Sequence, residues 1–313
     1  MSNKLDLSIV IPVCDEGENV EELYDELHRV LSRLGKKYEI IFVDDGSIDD
    51  TFKKLQAIKD STVKLMRFQR NYGKAAALSC GFRKSKGNIV ITMDGDLQDD
   101  PKEIPRFLEK LEEYDVVSGW KSKRQDPVSK TIPSKFFNAL TRFITGVKIH
   151  DFNCGFKGYR NYVVKNIKLY GEFHRYIPAL AHWKGYTVGE IEVEHHPRVH
   201  GVSKYGVERL FKGFLDLITV TFLNIYKKRP LHIFGGIGFL LIFSAIVISL
   251  HQVSLWIKGI RIGDRPLLML SILLMVIGVQ FISIGLIGEL ITNSRNNDDY
   301  IIKYDSYELE NDR

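Results

Sequence analysis

Residues 88–101 read Asn88-Ile-Val-Ile-Thr-Met93-Asp94-Gly95-Asp96-Leu97-Gln98-Asp99-Asp100-Pro101, an apolar run that ends in two carboxylates on alternate positions. Side chains of a strand repeat every second residue, so Asp94 and Asp96 are expected to point the same way. Like charges that close raise each other's pKa unless a cation sits between them. Mg²⁺ or Mn²⁺, hard ions that favour carboxylate and diphosphate oxygens, would resolve the conflict. Two solvated turn aspartates are the plain alternative.

The residues before this stretch alternate between strand and helix patterns. Leu7–Val13, Tyr38–Val43, Val63–Phe68, Asn88–Met93 and Asp115–Ser118 read as strands. Between the first two, Val20, Leu23, Leu27, Val30, Leu31 and Leu34 recur at helical spacing, with Gly35 as a stop. Further helices are expected near Asp50–Lys59 and Lys74–Lys86. Another opens at Asp100 as N-cap with Pro101 at its first position and runs to about Glu113. This order predicts an α/β, Rossmann-like fold with a mostly parallel sheet and helices on both faces. Ligands of such sheets bind outside the carboxyl ends of the strands. Cys14-Asp15-Glu16, Asp44-Asp45-Gly46-Ser47 and Asp94-Gly95-Asp96 all fall there. Neither G-x-G-x-x-G nor G-x-x-x-x-G-K-[ST] occurs, which removes the main signal for dinucleotide and P-loop readings.

The 313 residues suffice for one large domain with an appendage. Mean hydropathy is −0.10, but it is unevenly spread: Ile233–Leu250 and Leu267–Gly288 carry no charge. At about 1.5 Å per residue the second run spans roughly 33 Å, enough for a bilayer core; the first can extend toward Trp256. Neither run is N-terminal, so spans are expected rather than a signal peptide. Gly206–Lys228 places Val207, Leu210, Phe211, Phe214, Leu215, Ile218, Phe222 and Ile225 at helical spacing among basic residues, the pattern of an interfacial amphipathic helix or pair. The expected organisation is a catalytic domain over 1–205, juxtamembrane helices over 206–230, and a two-helix hairpin over 231–291 (about 233–255 and 266–290). A polar tail fills 292–313.

Three cysteines (Cys14, Cys80, Cys154) without CxxC spacing suit a reducing compartment and argue against a disulfide framework or a zinc site. The net charge of +5 is modest, and no nucleic-acid partner is expected. Lys204, Arg209, Lys212, Lys227, Lys228 and Arg229 gather ahead of the first span, which favours the cytoplasmic side and anionic headgroups. The hairpin loop also holds Lys258, Arg261 and Arg265. His195, His196 and His200 lie in an extended stretch with no helical i, i+4 pair and read as locally hydrogen-bonded.

Ile11-Pro12-Val13-Cys14-Asp15-Glu16, Val43-Asp44-Asp45-Gly46-Ser47 and Met93-Asp94-Gly95-Asp96-Leu97-Gln98 resemble, in order and spacing, the motifs of inverting family 2 glycosyltransferases with the A-type nucleotide-sugar fold. His150-Asp151-Phe152-Asn153-Cys154-Gly155-Phe156 and His196–Tyr205 resemble the polyprenyl-phosphate branch, which includes bactoprenol glucosyltransferases and dolichol-phosphate mannose synthases. The resemblance implies a nucleotide edge of Pro12 and Glu16, and Asp45 with Asp44 at the base. It implies that Asp94 and Asp96, joined by Gly95, hold metal and diphosphate, with Gln98 beside the sugar. Asp151 would stand in the active centre, and Arg198, Ser203 and Lys204 would form a phosphate-binding loop. Lys121 stands where the mannose synthases often carry Arg, and Lys135 is a second candidate for the acceptor phosphate.

The resemblance implies a membrane-bound enzyme, its catalytic domain on the cytoplasmic side, that moves a hexose onto polyprenyl (undecaprenyl or dolichyl) phosphate. Glucose from UDP-glucose is the first expectation; GDP-mannose and UDP-N-acetylhexosamine are the alternatives, since an aspartate pairs with uracil or guanine alike. A metal-dependent Mg²⁺ or Mn²⁺ step would neutralise charge developing on the leaving diphosphate. A phosphate monoester has a second pKa near 6, so the acceptor is largely a dianion at neutral pH and needs little help from a base. Asp151 is therefore either a base or a positioning group. A catalytically silent nucleotide-sugar sensor is the reading from another class. Membrane hairpins often self-associate, which leaves a homo-oligomer open.

Overall fold

The computed structural model describes residues 5–122, 128–169, 171, 173–194, 196, 208–225, 230–263 and 265–294. The chain divides into two compact units, Met1–Thr221 and Phe222–Arg313. In the first, β1 (Leu7–Val13), β2 (Tyr38–Asp44), β3 (Val63–Arg67), β4 (Ile89–Thr92) and β5 (Val116–Trp120) form where the apolar runs predict strands. They join β6 (Lys157–Arg160) and β7 (Val188–Glu192) in one sheet of order β3-β2-β1-β4-β6-β5-β7. β1 pairs in parallel with both β2 and β4, β2 with β3, and β5 with β7. β6 lies antiparallel between β4 and β5. It escapes sequence reading because four residues, Lys157-Gly-Tyr-Arg160, carry no period-2 pattern.

The alternation of side chains along the strands splits the interior into two cores. Ile9 and Ile11 of β1, with Ile40 and Phe42 of β2, meet Val20, Leu23, Leu27 and Leu31 of α1 (Val20–Leu31) on one face. Val10, Ile41 and Val43 meet Ala77, Leu78 and Phe82 of α3 (Lys74–Lys84) on the other. α2 (Thr51–Ala57) follows β2. Asp100 caps as expected, accepting from the Lys102 N–H. The first turn after it is a 3₁₀ turn over Pro101–Glu103, and α4 proper covers Ile104–Lys110. Beyond β5, where the sequence pattern is irregular, the chain forms α5 (Val128–Thr145), α6 (Asn161–Asn166) and α7 (Ile177–Trp183).

Of the segment expected to form an amphipathic helix or pair, the described residues form one helix, α8 (Glu208–Ile225). Leu217 and Val220 are fully buried in the core that includes Phe137 and Tyr176, and Tyr176 Oη donates to Gly213 O at 2.8 Å. Leu215 and Ile218 face outward. The amphipathic pattern of this segment therefore closes the soluble core on one face, and the first unit extends past residue 205.

In the second unit α9 (Pro230–Ile257) and α10 (Pro266–Ser294) pack as an antiparallel hairpin. Both are long and apolar enough to cross a membrane. Little of either apolar stretch is buried, unlike the core helix of a soluble domain. Small residues mark the crossing: a Cβ on Gly238 would lie 2.7 Å from Gly278 O, and one on Gly278 2.9 Å from Gly238 O.

α3 can lie flat on β1 because Gly81 has no side chain; a Cβ there would run into Val10 Cγ1. Gly81→Leu is expected to destabilise the soluble unit by about 1–3 kcal/mol, the usual range for overpacking. Arg83→Ala on the exposed side of the same helix should be near neutral. Thermal unfolding of the detergent-solubilised chain, followed by circular dichroism, compares the two.

Candidate active site

The three acidic motifs do converge on the carboxyl ends of β1, β2 and β4, and the structure shows what neutralises each carboxylate. Asp44, fully buried, accepts from the Ser47 N–H (2.8 Å) and hydroxyl and pairs with Arg67 Nε at 3.2 Å. Arg67 reaches it from the end of β3, its guanidinium 4.5 Å from the centre of the Phe52 ring. Asp45 Oδ1 accepts from Tyr72 N at 2.7 Å and Oδ2 from Gly73 N at 2.9 Å. Burial raises the Asp45 pKa, partly countered by those two N–H groups. The sequence offers Asp44 and Asp45 to a nucleobase; in the structure Asp44 ties the turn after β2 to the end of β3, and Asp45 braces the turn that opens α3.

At the end of β1, Asp15 adopts φ 53°, accepts from Ile48 N at 2.9 Å and donates its own N–H to Ser47 Oγ at 3.0 Å. Glu16 takes Asn19 Nδ2 at 2.6 Å. Gly95 brings the next motif against this end. A Cβ there would sit 2.8 Å from Val13 Cγ1, 3.6 Å from Pro12 O and 3.7 Å from Glu16 Cγ. Pro12, Glu16 and the Asp94–Asp96 turn are therefore neighbours.

β4 stops at Thr92, so Asp94 and Asp96 stand on a turn rather than on the strand itself. Leu97 takes φ 59° in that turn, a left-handed conformation that a branched residue seldom adopts. Asp15 and Leu97 are the two non-glycine residues with positive φ among the described residues, and both flank the site. Asp94 Oδ1 forms an ion pair with Lys74 Nζ, from the first residue of α3. Burial works to raise the Asp94 pKa, but Lys74, with Lys121 behind it, outweighs burial and holds it at about 2. Asp94 keeps 30% of its side chain exposed. Gly155 lies against the Asp94 carboxylate, where a Cβ would collide. Asp96, 7% exposed, accepts from Gln98 N at 3.3 Å.

Asp99, assigned no role in the sequence reading, organises this turn. Its Oδ2 accepts from Asp94 N at 3.3 Å and its Oδ1 pairs with Lys121 Nζ at 2.8 Å. Burial disfavours the Lys121 ammonium, yet Asp99 more than compensates and the pKa is raised. Lys121, 10% exposed and offered by the sequence reading to the acceptor phosphate, is here a counter-ion of the carboxylate turn. Gln98 is tied to the segment after β7: His196 N donates to Gln98 O at 3.1 Å. Asp100, Glu194 and His196 bring their ligand atoms within 4.8 Å of one another at the exposed rim; His196 Nε2 lies 3.5 Å from Asp100.

Asp151 is 2% exposed and its Oδ1 accepts from Asn153 N at 2.9 Å, an Asx-type turn. Glu190 of β7 holds the segment from below, accepting from His150 N at 2.7 Å and Asp151 N at 3.2 Å. His150 stacks on Trp120 with ring centroids 4.3 Å apart. Lys157, 3% exposed, donates to Phe152 O at 3.2 Å and to Cys154 O, and burial lowers its pKa. Burial, with Lys74 next in effect, drives the His174 pKa well below its usual value. Lys135 lies on α5, and its side chain falls outside the described residues, as do Arg198, Ser203 and Lys204.

Two hard-oxygen carboxylates on one turn, with Asp94 still partly open to solvent, fit Mg²⁺ or Mn²⁺. Of the residues given no role in the sequence reading, Lys74 and Glu190 reach this edge from distant parts of the chain, whereas Asp99 holds the Asp94 N–H and Lys157 the carbonyls of Phe152 and Cys154 close by. Only Lys74 left a local signal, a cation at a helix N-terminus where anions are favoured.

The pattern of glycosyl transferase family 2 matches residues 8–168. A dodecaprenyl-phosphate galacturonate synthase of Rhizobium johnstonii is 40% identical, over 96% of this chain and 92% of its own. An undecaprenyl-phosphate 4-deoxy-4-formamido-L-arabinose transferase of Proteus mirabilis is 36% identical, over 93% and 90%. Among solved structures, a glucosyl-3-phosphoglycerate synthase of Mycobacterium tuberculosis, crystallised with Mn²⁺, UDP and glucosyl-3-phosphoglycerate, superposes with a TM-score of 0.53 at 18% identity. That match covers 70% of this chain and 79% of the other. The same enzyme with Mg²⁺ and UDP gives 0.53 at 17% identity, over 68% and 79%. The likeness to these structures is one of fold.

Lys121→Met would strand the Asp99 carboxylate without a counter-ion and is expected to destabilise the protein by about 3–5 kcal/mol. Adding Asp99→Asn to it should recover most of that loss. A double-mutant cycle on chemical unfolding measures the coupling; additive effects would disprove it.

Proposed function

The chain belongs to glycosyl transferase family 2, and we propose that it transfers a sugar from a nucleoside diphosphate to a polyprenyl phosphate in the membrane. The reading is carried by the Asp94–Asp96 turn, held at the carboxyl ends of β1 and β4, in a chain that also carries a hairpin of two membrane-length helices. Similarity along nearly its whole length to two transferases named for dodecaprenyl and undecaprenyl phosphate supports a lipid-phosphate acceptor.

In the proposed reaction an oxygen of the acceptor phosphate forms a bond to the anomeric carbon as the bond from that carbon to the donor diphosphate breaks. The configuration at that carbon inverts. Bound Mg²⁺ or Mn²⁺ supplies charge neutralisation at the departing diphosphate, held by Asp94 and Asp96. Gly155 and Asp99 keep those two carboxylates in place. Pro12 and Glu16 border the nucleotide, and Gln98 lies on the sugar side of the turn. Asp151, fixed by its own turn and by Glu190, orients the acceptor rather than removing a proton, because the acceptor phosphate is already ionised. Arg198, Ser203 and Lys204 receive that phosphate, and the basic residues 227–229 set the soluble unit on the cytoplasmic side.

UDP is the favoured carrier, since the solved structures of like fold hold UDP. Glucose is the sugar suggested by sequence resemblance. Galacturonate is the second reading, favoured by the name of a relative 40% identical. Purified protein, undecaprenyl phosphate and Mn²⁺ are incubated with UDP-glucose, UDP-galacturonate, UDP-N-acetylglucosamine and GDP-mannose in turn, and the lipid products are weighed by mass spectrometry. One donor should give a singly glycosylated lipid phosphate, and Asp94→Ala or Asp96→Ala should lower its formation at least 100-fold. Transfer unimpaired in both variants, or no product from any donor, would overturn the proposal.

A further inference from the structure

Lys74 sits where a cation is least favoured by its own helix. It is the first residue of α3, an eleven-residue helix whose N-terminus carries partial positive charge and whose first turn has no acidic residue. What holds it there is Asp94, through the ion pair to Oδ1. The turn before it cannot drift, because Asp45 accepts both the Tyr72 and Gly73 N–H groups. Gly73 takes φ 92°, which lets the chain turn sharply into the helix.

The same Asp94 oxygens are half of the divalent-ion ligand set proposed above, and this inference rests on that reading. An ammonium on Asp94 Oδ1 and a metal ion bound by that oxygen compete for one site. The charges around them also matter. Asp94 is paired with Lys74 and Asp99 with Lys121, and Asp151 lies near Lys157, so these acids already have their cations. A divalent cation added to this set leaves positive charge in excess, gathered on Lys74 and the N-terminus of α3. A diphosphate is the ligand that restores balance.

We infer that Lys74 occupies the cation's place on Asp94 while the site is free of metal, and swings to the donor diphosphate when a divalent ion takes that carboxylate. Lys74 thereby makes metal and nucleotide binding mutually dependent: the ion must displace it, and the nucleotide gives it somewhere to go. Metal alone binds weakly for this reason, and each ligand raises the affinity for the other by the same factor.

Binding of Mn²⁺ alone is read by electron paramagnetic resonance of the free ion, and binding of UDP by calorimetry with and without Mn²⁺. Both use the full detergent-solubilised chain, and neither needs sugar transfer. Lys74→Met should bind Mn²⁺ at least tenfold more tightly than the parent protein in the absence of nucleotide. Its UDP affinity with Mn²⁺ present should fall at least tenfold. A folded Lys74→Met protein with unchanged or weaker Mn²⁺ affinity would overturn the inference.

A second measurement needs no substitution. Acylation of Lys74 in the parent protein, mapped by mass spectrometry, should rise on adding Mn²⁺ and fall again when UDP is added. Labelling indifferent to Mn²⁺ would also overturn it. A parent protein that binds neither Mn²⁺ nor UDP would sink the donor reading itself, and this inference with it.

Discussion

Carboxylates gathered at the carboxyl edge of a sheet must each find a cation or an N–H group, because a buried, uncompensated anion is strongly destabilising. The architecture around the site follows from this constraint. Asp44 is met by Ser47 and Arg67, Asp45 by the backbone of residues 72 and 73, Asp94 by Lys74, and Asp99 by Lys121. These partners come from the loops or strand ends of β2, β3, α3 and β5. Neutralising the acids is therefore the same act as tying the strand ends together. Asp94 belongs to this set and still keeps its carboxylate partly open to solvent.

Among the described residues, the left-handed non-glycine conformations fall at the same edge. Asp15 and Leu97 hold left-handed backbone conformations that ordinarily cost about 1–3 kcal/mol each. Each is held by neighbours: Asp15 by Ser47 and Ile48, Leu97 by burial of its side chain in the apolar cluster with Ile104 and Phe107. Two glycines, Gly95 and Gly155, supply close approach where any side chain would strike Val13 or Asp94. The turn that carries both carboxylates is in this way pre-shaped before a ligand arrives, which is what a site for a small ion and a diphosphate requires.

The hairpin obeys a different physics. In a bilayer no hydrophobic gain drives two apolar helices together, so close packing must do so, and Gly238 and Gly278 bring the backbones of α9 and α10 into contact. The large apolar side chains of both helices point outward, as expected when the solvent is lipid. Because the proposed acceptor keeps its tail in the bilayer and presents only a phosphate, a membrane-bound transferase has no need of a deep apolar pocket in its soluble unit.

The order of the first five strands, the convergence of three acidic motifs and the two membrane-length helices were all legible in the sequence. Each depends on local periodicity or on residues within a few positions of one another. β6 and β7 were not legible, since short strands of mixed polarity are specified by the neighbours they pair with. Nor were the internal partners that Asp45 and Lys121 find in the structure. The positions of Lys74, Asp99, Glu190 and Lys157 were equally hidden. An ion pair such as Lys74–Asp94 spans twenty residues in sequence and exists only because parallel strands bring a helix start beside a strand end. The sequence determined which edge of the sheet is acidic; only the tertiary structure decided which cation or N–H group each of those acids meets, because charge compensation acts through space and not along the chain.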